Sequence, residues 1–347
     1  ALTVVTGGQE TWSPQLVRSV DTTGWVASDF HLHSEWSTDS AVPLADRILG
    51  CAAEGVEYAV ATDHDMVTDY NTAMPASVLG TMVVASGVES STINKGHFCV
   101  WPLKPDHTLV GRGAPRWHGL DFTGLMDLFG AGDPGRVVQV NHPRDGSAAF
   151  SALKYEAAVP DPDLLALFTF NAVEVHNGGL KQFEVGLEDW ISLVKAGLPV
   201  AATGVSDSHS LGALCGHART YVAVTGSDDP SQLVPAELDA SILAGQTMVS
   251  AGPFVEFNAG VSSGTVHIRV SAPSWMDVDR VIIHNDEGID QEIAVPEYDG
   301  DTVRLDTTVP MNFPAATFAI AVVRGDKSSP IYGPKTPVAV SPIVRFK

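Results

Sequence analysis

What most constrains this chain is where its histidines and carboxylates fall along its β-rich runs. Between about residue 24 and residue 225, short β-rich runs alternate with helical patterns, which is the signature of a parallel sheet with crossover helices. Trp25 to His31 reads as a strand. Pro43 then opens a helix whose Leu44, Ile48 and Cys51 share one stripe, and Gly55 closes it. The pattern predicts further strands at 56–61, 81–85, 97–101, 136–140, 172–176, 199–203 and 220–224, with helices around 122–130 and 184–196. The strand ends carry His31-Leu32-His33, Asp63-His64-Asp65, Glu89, Asn141-His142-Pro143-Arg144 and Asp207-Ser208-His209. In a parallel barrel such ends converge on one rim, where those folds build their active sites. His97 begins its strand instead and has to reach inward from the near end.

Beyond about Gly252 the texture changes to alternation without helices, as in VHIRVSA, DRVIIHN and TFAIAVVR. This predicts a small antiparallel β-sandwich over 252–347, after a barrel over 24–251 and a β-like extension over 1–23. A length of 347 residues suits two domains. The formal charge is −21, of which about −17 lies before the sandwich. Such a charge disfavours nucleic acid and anionic membrane as partners. No apolar run is long enough to span a bilayer, and the first residues lack the basic start and apolar centre of a signal peptide. The chain opens on Ala1 rather than Met, as a trimmed chain would, and the compartment stays open. Cys51, Cys99 and Cys215 stand far apart without a C-x-x-C pattern, so neither a zinc ribbon nor a disulfide framework is expected.

A His-x-His pair on an extended segment points both imidazoles to one side, because side chains alternate with period two. Imidazole with carboxylate suits zinc, manganese or iron, and ligands from several strands can hold about two or three divalent ions. No GxSxG elbow, P-loop or dinucleotide fingerprint is present. Ser206-Asp207-Ser208-His209 is better explained by metal ligation than by a serine triad.

The segments DFHLHSEWSTDS, VATDHD, SGVES, GHFCVW, VNHPR and GVSDSHS, in that order, resemble the polymerase and histidinol phosphatase (PHP) superfamily. The resemblance covers residues 24 to 225, and LAGQTMVSAGPF is similar to the junction of the superfamily's carbaryl-hydrolase-like branch. It implies a distorted seven-stranded α/β barrel holding up to three divalent metals. Carried over by motif, it implies His31, His33, Asp39, His64, Glu89, His97, His142, Asp207 and His209 as metal ligands, with Glu89 bridging. Asp39 stands six residues beyond His33, where most members have five.

The expected activity is that of a metal-dependent hydrolase using a metal-activated water on a small-molecule ester, foremost a phosphoester. Carbamate or carboxylic ester hydrolysis on the same site is the alternative within enzymes. A non-catalytic metal-containing binding module is the alternative from another class, and the retention of ligand-capable residues at all nine positions speaks against it. Arg144, two residues beyond His142, is expected to hold a substrate oxyanion, its competing role being an ion pair with a rim carboxylate. His176 ends a strand on the same rim and is expected to contact substrate or a ligand's partner. Asp63 and Asp65 are expected to orient histidines, Cys99 to be a buried core thiol, and His267 and His284 to be structural.

Overall fold

A computed structural model of the chain describes residues 18–178, 180–260, 264–297, 300–311, 316–327 and 336–346. Most of the expected N-terminal extension lies outside the described residues. Up to residue 250 the described residues form ten strands: β1 (Trp25–Asp29), β2 (Tyr58–Ala61), β3 (Val83–Ser86), β4 (Val88–Thr92), β5 (Gly96–Trp101), β6 (Val137–Val140), β7 (Ala172–Asn177), β8 (Ala201–Val205), β9 (Arg219–Ala223) and β10 (Thr247–Ser250). Helices at Leu44–Ala53, Phe122–Phe129 and Leu180–Lys195 fall where the apolar periodicity places them.

The expectation of an all-parallel sheet needs correction. β1, β2 and β3 pair in parallel, as do β6, β7 and β8. β9 lies antiparallel to β1 and β10, while β4, β5 and β6 form an antiparallel run. The reason for the β4–β5 hairpin is local. Only Ile93, Asn94 and Lys95 separate the two strands, and Asn94 takes a left-handed φ of +60°. That is a turn, too short for a crossover helix. Because β5 runs backward, its first residues reach the edge where its antiparallel neighbours β4 and β6 end, so His97 needs no long reach.

The ladders form two sheets rather than one closed seven-stranded cylinder. The sheets meet along two seams. Parallel bridges join Leu32 to Ser208 and His64 to Glu89. At the first seam Thr220 Oγ1 accepts from Gly204 N (2.9 Å) and donates to Gly204 O (2.8 Å). A Cβ on Gly204 would stand 2.7 Å from Arg219 O, so only glycine permits this approach.

The rest of the described chain is β11 (Phe254–Gly260), β12 (Thr265–Ser271), β13 (Arg280–Asn285), β14 (Gly288–Ala294), β15 (Val303–Pro310), β16 (Phe318–Arg324), β17 (Val338–Val340) and β18 (Val344–Arg345). β11, β12 and β15 make one antiparallel sheet. β14, β13, β16 and β17 make another, which continues through β17 onto β10, with Val340 opposite Val249. The ladder thus runs across residue 252, where the sequence texture changes. Val255, Ile268, Val281, Ile283 and Val323 share one core between these sheets. Alternate burial of Val266, Ile268 and Val270 along β12 is the period-two pattern read from the sequence.

A disulfide joins Cys51 to Cys215, with Cα atoms 5.1 Å apart, and corrects the expectation of unpaired cysteines. The spacing of 164 residues hides the pairing from sequence patterns, which register only short Cys spacings. Cys99 is free and buried, as expected.

Asp239, on the helix Pro235–Leu243, accepts from Tyr58 Oη of β2 (2.7 Å) and Trp101 Nε1 of β5 (2.8 Å) and so ties the two sheets together. Burial pushes its carboxyl up to about 6, against the two hydrogen bonds that favour the charged form. A carboxyl raised on folding favours the native state while protonated. That contribution is present below the unfolded value near 4 and is lost as pH rises through about 6. Asp239→Asn should therefore gain on the wild type by ~3 kcal/mol as pH rises from about 4 to about 6. Above that the difference should stay flat. Denaturant unfolding across this range checks it, and parallel stability curves for the two proteins would contradict it.

Candidate metal centre

The rim of the seams brings the nine expected ligands together. His31 and His33 follow β1, with Leu32 between them turned into the core, as period two requires. Glu89 lies on β4, is only 1% exposed, and is the hub. Its Oε1 lies 3.2 Å from His31 Nε2, 3.1 Å from His97 Nδ1 and 3.4 Å from His142 Nε2. Its Oε2 lies 2.9 Å from His64 Nδ1 and 3.4 Å from His33 Nε2. Asp207 Oδ1 faces both His31 Nε2 (3.2 Å) and His33 Nε2 (3.1 Å). Asp39, on the solvent side, faces His64 Nε2 (3.1 Å) and His209 Nε2 (3.2 Å).

Among the described residues, three overlapping groups have ligand atoms within 4.8 Å of one another: His33, Asp39, His64 and His209; His31, His33 and Glu89; and His64, Glu89 and His97. The donor chemistry fits divalent zinc, manganese or iron. Neighbouring contacts fix which nitrogens face inward. His31 Nδ1 contacts Glu174 Oε1 (2.7 Å), His33 Nδ1 contacts Ser37 Oγ (2.8 Å), and His209 Nδ1 contacts the Asp207 carbonyl (2.9 Å). With the Nδ1 proton donated outward, each Nε2 turns its lone pair into the cluster. Among the described residues, His31 Nε2 and Glu89 Oε2 are buried with no hydrogen-bond donor or acceptor of proper geometry. Such orphaned atoms are what a bound cation would satisfy.

The electrostatics agree. Burial opposes charge on His31, yet Asp207, Glu89 and Glu174 hold its pKa well above the usual imidazole range. Burial likewise opposes charge on His64, while Glu89 and Asp39 carry it up to about 9. Burial would raise Glu89 and Asp207, but the imidazoles hold both below the usual carboxylate range. The carboxylates thus impose a demand for positive charge at the cluster's centre. Asp65, His142 and Asp207 all take left-handed φ values (48°, 28° and 50°). Such conformations cost about 1–3 kcal/mol each and gather where function over-determines the backbone.

Asp63, expected to orient histidines, reaches one of them through Ser37. It accepts from Ser34 N (2.7 Å) and from Ser37 Oγ (3.1 Å), the hydroxyl that contacts His33. Arg144 was expected to hold a substrate oxyanion or, as its competing role, to pair with a carboxylate. Its Nε and Nη2 both donate to Asp189, at 2.7 and 2.5 Å, on the helix Leu180–Lys195. The guanidinium therefore forms a two-pronged ion pair with a buried carboxylate, the structural role the sequence left as its competitor. His176 rests against Phe183, ring centroids 5.4 Å apart, and belongs to none of the three groups.

The sequence reading gave no role to Glu174 and Arg47. Glu174, buried in β7, accepts from His31 Nδ1, Gln139 Nε2 (3.0 Å), His142 N (2.5 Å) and Asn177 Nδ2 (2.7 Å). A glutamate inside the apolar run Ala172-Val173-Glu174-Val175 was the available signal, since buried charges need partners. Arg47 hides within the helical stripe. It donates to His33 O (2.8 Å), Ser208 Oγ (2.6 Å) and Ser208 O (2.9 Å), joining the first ligand loop to the last.

No protein-family model and no curated protein matches the chain. Among solved structures, it is similar to a two-domain protein from Bacteroides vulgatus containing a predicted PHP-like metal-dependent phosphoesterase. Identity is 15%, the alignment covers 98% of this chain and 99% of that one, and the TM-score is 0.48. It is also similar to an amidohydrolase from Chromobacterium violaceum with bound sulfate and no metal, at 16% identity over 62% of this chain and 96% of that one, TM-score 0.39.

Glu174→Gln keeps the shape at the His31 contact but removes the charge that holds the Nδ1 proton. Metal affinity should fall by roughly 10–100-fold, the usual effect of losing such an outer partner. Competition against a chromophoric chelator measures it, and unchanged affinity would remove Glu174 from the site.

Proposed function

We propose that this chain is a PHP-type metal-dependent hydrolase acting on small phosphoesters. The observation that carries the reading is the set of three overlapping ligand groups, two of them sharing buried Glu89, with imidazole lone pairs turned inward by Glu174, Ser37 and the Asp207 carbonyl. His31, His33 and Glu89, with Asp207 beside them, would hold one ion; Asp39, His64 and His209 a second; and Glu89 with His97 and His142, which both face its Oε1, a third. Bound there, such ions acidify water and polarise the oxygens of an ester.

The chain's own residues define the rest. Asp39, 51% exposed, and His97, 33% exposed, mark the open side from which substrate approaches, while His31, His33 and Glu89 form the closed floor. Glu89 and Asp207 each face more than one imidazole, so they hold the ligand set at fixed spacing and balance cationic charge. Divalent ions against these carboxylates make the loaded site a cationic island in an acidic protein. It would draw small anions despite the overall charge. We assign the chemistry to residues 24–251. The β-rich unit over 252–347 then contributes no ligand, in keeping with His267, which pairs with Asp306 at 2.8 Å on the neighbouring strand β15.

A panel of phosphate mono-, di- and triesters, carbamates and aryl esters, assayed on metal-loaded protein, tests the reading. Phosphoesters should be turned over fastest, and exhaustive chelation should abolish activity. Glu89→Ala should lower kcat/KM by more than about a hundredfold, since even an outer partner of a metal ligand is worth roughly 10–100-fold. Full turnover after chelation would falsify metal dependence, and hydrolysis confined to carbamates or carboxylic esters would overturn the substrate class.

A further inference from the structure

The segment 102–121 crosses the rim beside His64 and is keyed to it. Val67 N donates to Gly111 O (2.9 Å), and Trp117 Nε1 donates to Asp65 Oδ1 (2.9 Å). A Cβ on Gly111, whose φ is +63°, would stand 2.5 Å from Asp65 O, so the segment lies directly on that backbone. Asp65 Oδ1 also accepts from Ser91 N (3.2 Å), and Ser91 Oγ lies 2.6 Å from His64 Nδ1.

Arg112 stands in this segment, itself in a left-handed conformation with φ +52°. Its backbone is pinned by Arg112 N to Leu109 O (3.1 Å) and Asp106 N to Arg112 O (2.9 Å). The guanidinium carbon sits 3.9 Å from the ring centroid of Trp36. Trp36, 41% exposed, immediately precedes Ser37, the residue whose hydroxyl contacts His33 Nδ1. A side chain stacked on an indole is therefore held next to the ligand loop. Stacking uses the face of a guanidinium and leaves its in-plane N–H donors free.

Among the described residues, no hydrogen bond or ion pair reaches the Arg112 guanidinium. The carboxylates in its own segment are Asp106, whose Oδ1 accepts from Thr108 N (2.9 Å) and Thr108 Oγ1 (2.6 Å), and Asp121, whose Oδ1 accepts from Gly124 N (2.8 Å). Arg47, Arg136 and Arg219 likewise lack a carboxylate partner among the described residues, but their guanidiniums donate to backbone carbonyls or a serine hydroxyl, as that of Arg112 does not. Arg144, by contrast, has its donors committed to Asp189.

We propose that Arg112, laid over Trp36 at the mouth of the metal centre, binds an oxyanion on the non-reacting part of the substrate. The substrates would then be small esters that carry a second negative group, a carboxylate or a phosphate, beyond the bond that is cleaved. This rests on the hydrolase reading above and deepens it. A planar guanidinium meets either oxyanion with paired hydrogen bonds, which a neutral amide cannot reproduce.

The test uses three non-hydrolysable arylphosphonates, alike except for a neutral, a carboxylate or a phosphate tail, titrated calorimetrically into metal-loaded protein. Wild type should bind at least one anionic-tailed analogue about tenfold or more tighter than the neutral one, and the two anionic arms tell which oxyanion is preferred. Arg112→Gln should bind all three alike, with metal content equal to wild type, and Arg112→Lys should regain part of the preference. No preference in the wild type, or the same preference in Arg112→Gln, overturns the assignment. Turnover of the matching phosphate esters is measured in parallel. Turnover without tail preference overturns the Arg112 role alone, whereas tail preference without turnover of any ester overturns the hydrolase reading and leaves the anion site standing.

Discussion

Glu89 is a carboxylate almost wholly withdrawn from water, and the site is arranged around compensating it. An unpaired charge in such a place costs several kcal/mol. Imidazoles of His31, His33, His64, His97 and His142 stand within 3.4 Å of its oxygens, and Asn141 Nδ2 donates to Oε1 at 2.9 Å. His31 and His33 extend from the sheet of β1 and β2, while His97 and His142 belong to the sheet of β5 and β6. One buried charge therefore holds both sheets at their seam, and the parallel bridge of His64 to Glu89 is the backbone side of the same contact. The residues that close the fold at this rim are the residues that would grip metal.

The opposite seam is secured from outside the cluster. The loop after β8 carries Asp207 and His209, and it is fastened to the helix Leu44–Ala53 twice, by Arg47 on Ser208 and by the disulfide of Cys51 with Cys215. Buried Asp29, at the end of β1, adds a third fastening by accepting from Gly216 N (2.7 Å) and Ser206 N (3.2 Å). These contacts spare the ligands themselves from holding the loop. Asp207 can keep its strained backbone because the segment on either side is fixed.

Much of this was legible in the sequence, and the rest was hidden for definite reasons. His31-Leu32-His33 and Asp207-Ser208-His209 announce themselves because period two and strand ends are local properties. The helix after Pro43 was equally plain, yet its stripe concealed Arg47, since an arginine among apolar residues looks like a solvated edge until its partners are seen. β4 was not expected at all, and without it the direction of β5 was misread, since the break at Gly87 that separates β3 from β4 is a matter of packing. A Cβ there would meet Val100 O at 2.9 Å, a contact no local pattern reveals. Arg144 was given to substrate because Asp189 lies 45 residues away on a helix face. Partners that meet through tertiary packing leave no periodic trace.

On the reading proposed above, Glu89 and the histidines around it form a multinuclear divalent metal centre. Elemental analysis of protein purified without added metal or chelator, with Glu89→Ala as its comparison, measures this directly. A centre of this kind should carry about two or three divalent transition-metal ions per wild-type chain and show a clear loss of metal in the variant, because one carboxylate serves more than one ligand group. Wild-type protein that carries no transition metal and takes none up from added zinc, manganese or iron would contradict it.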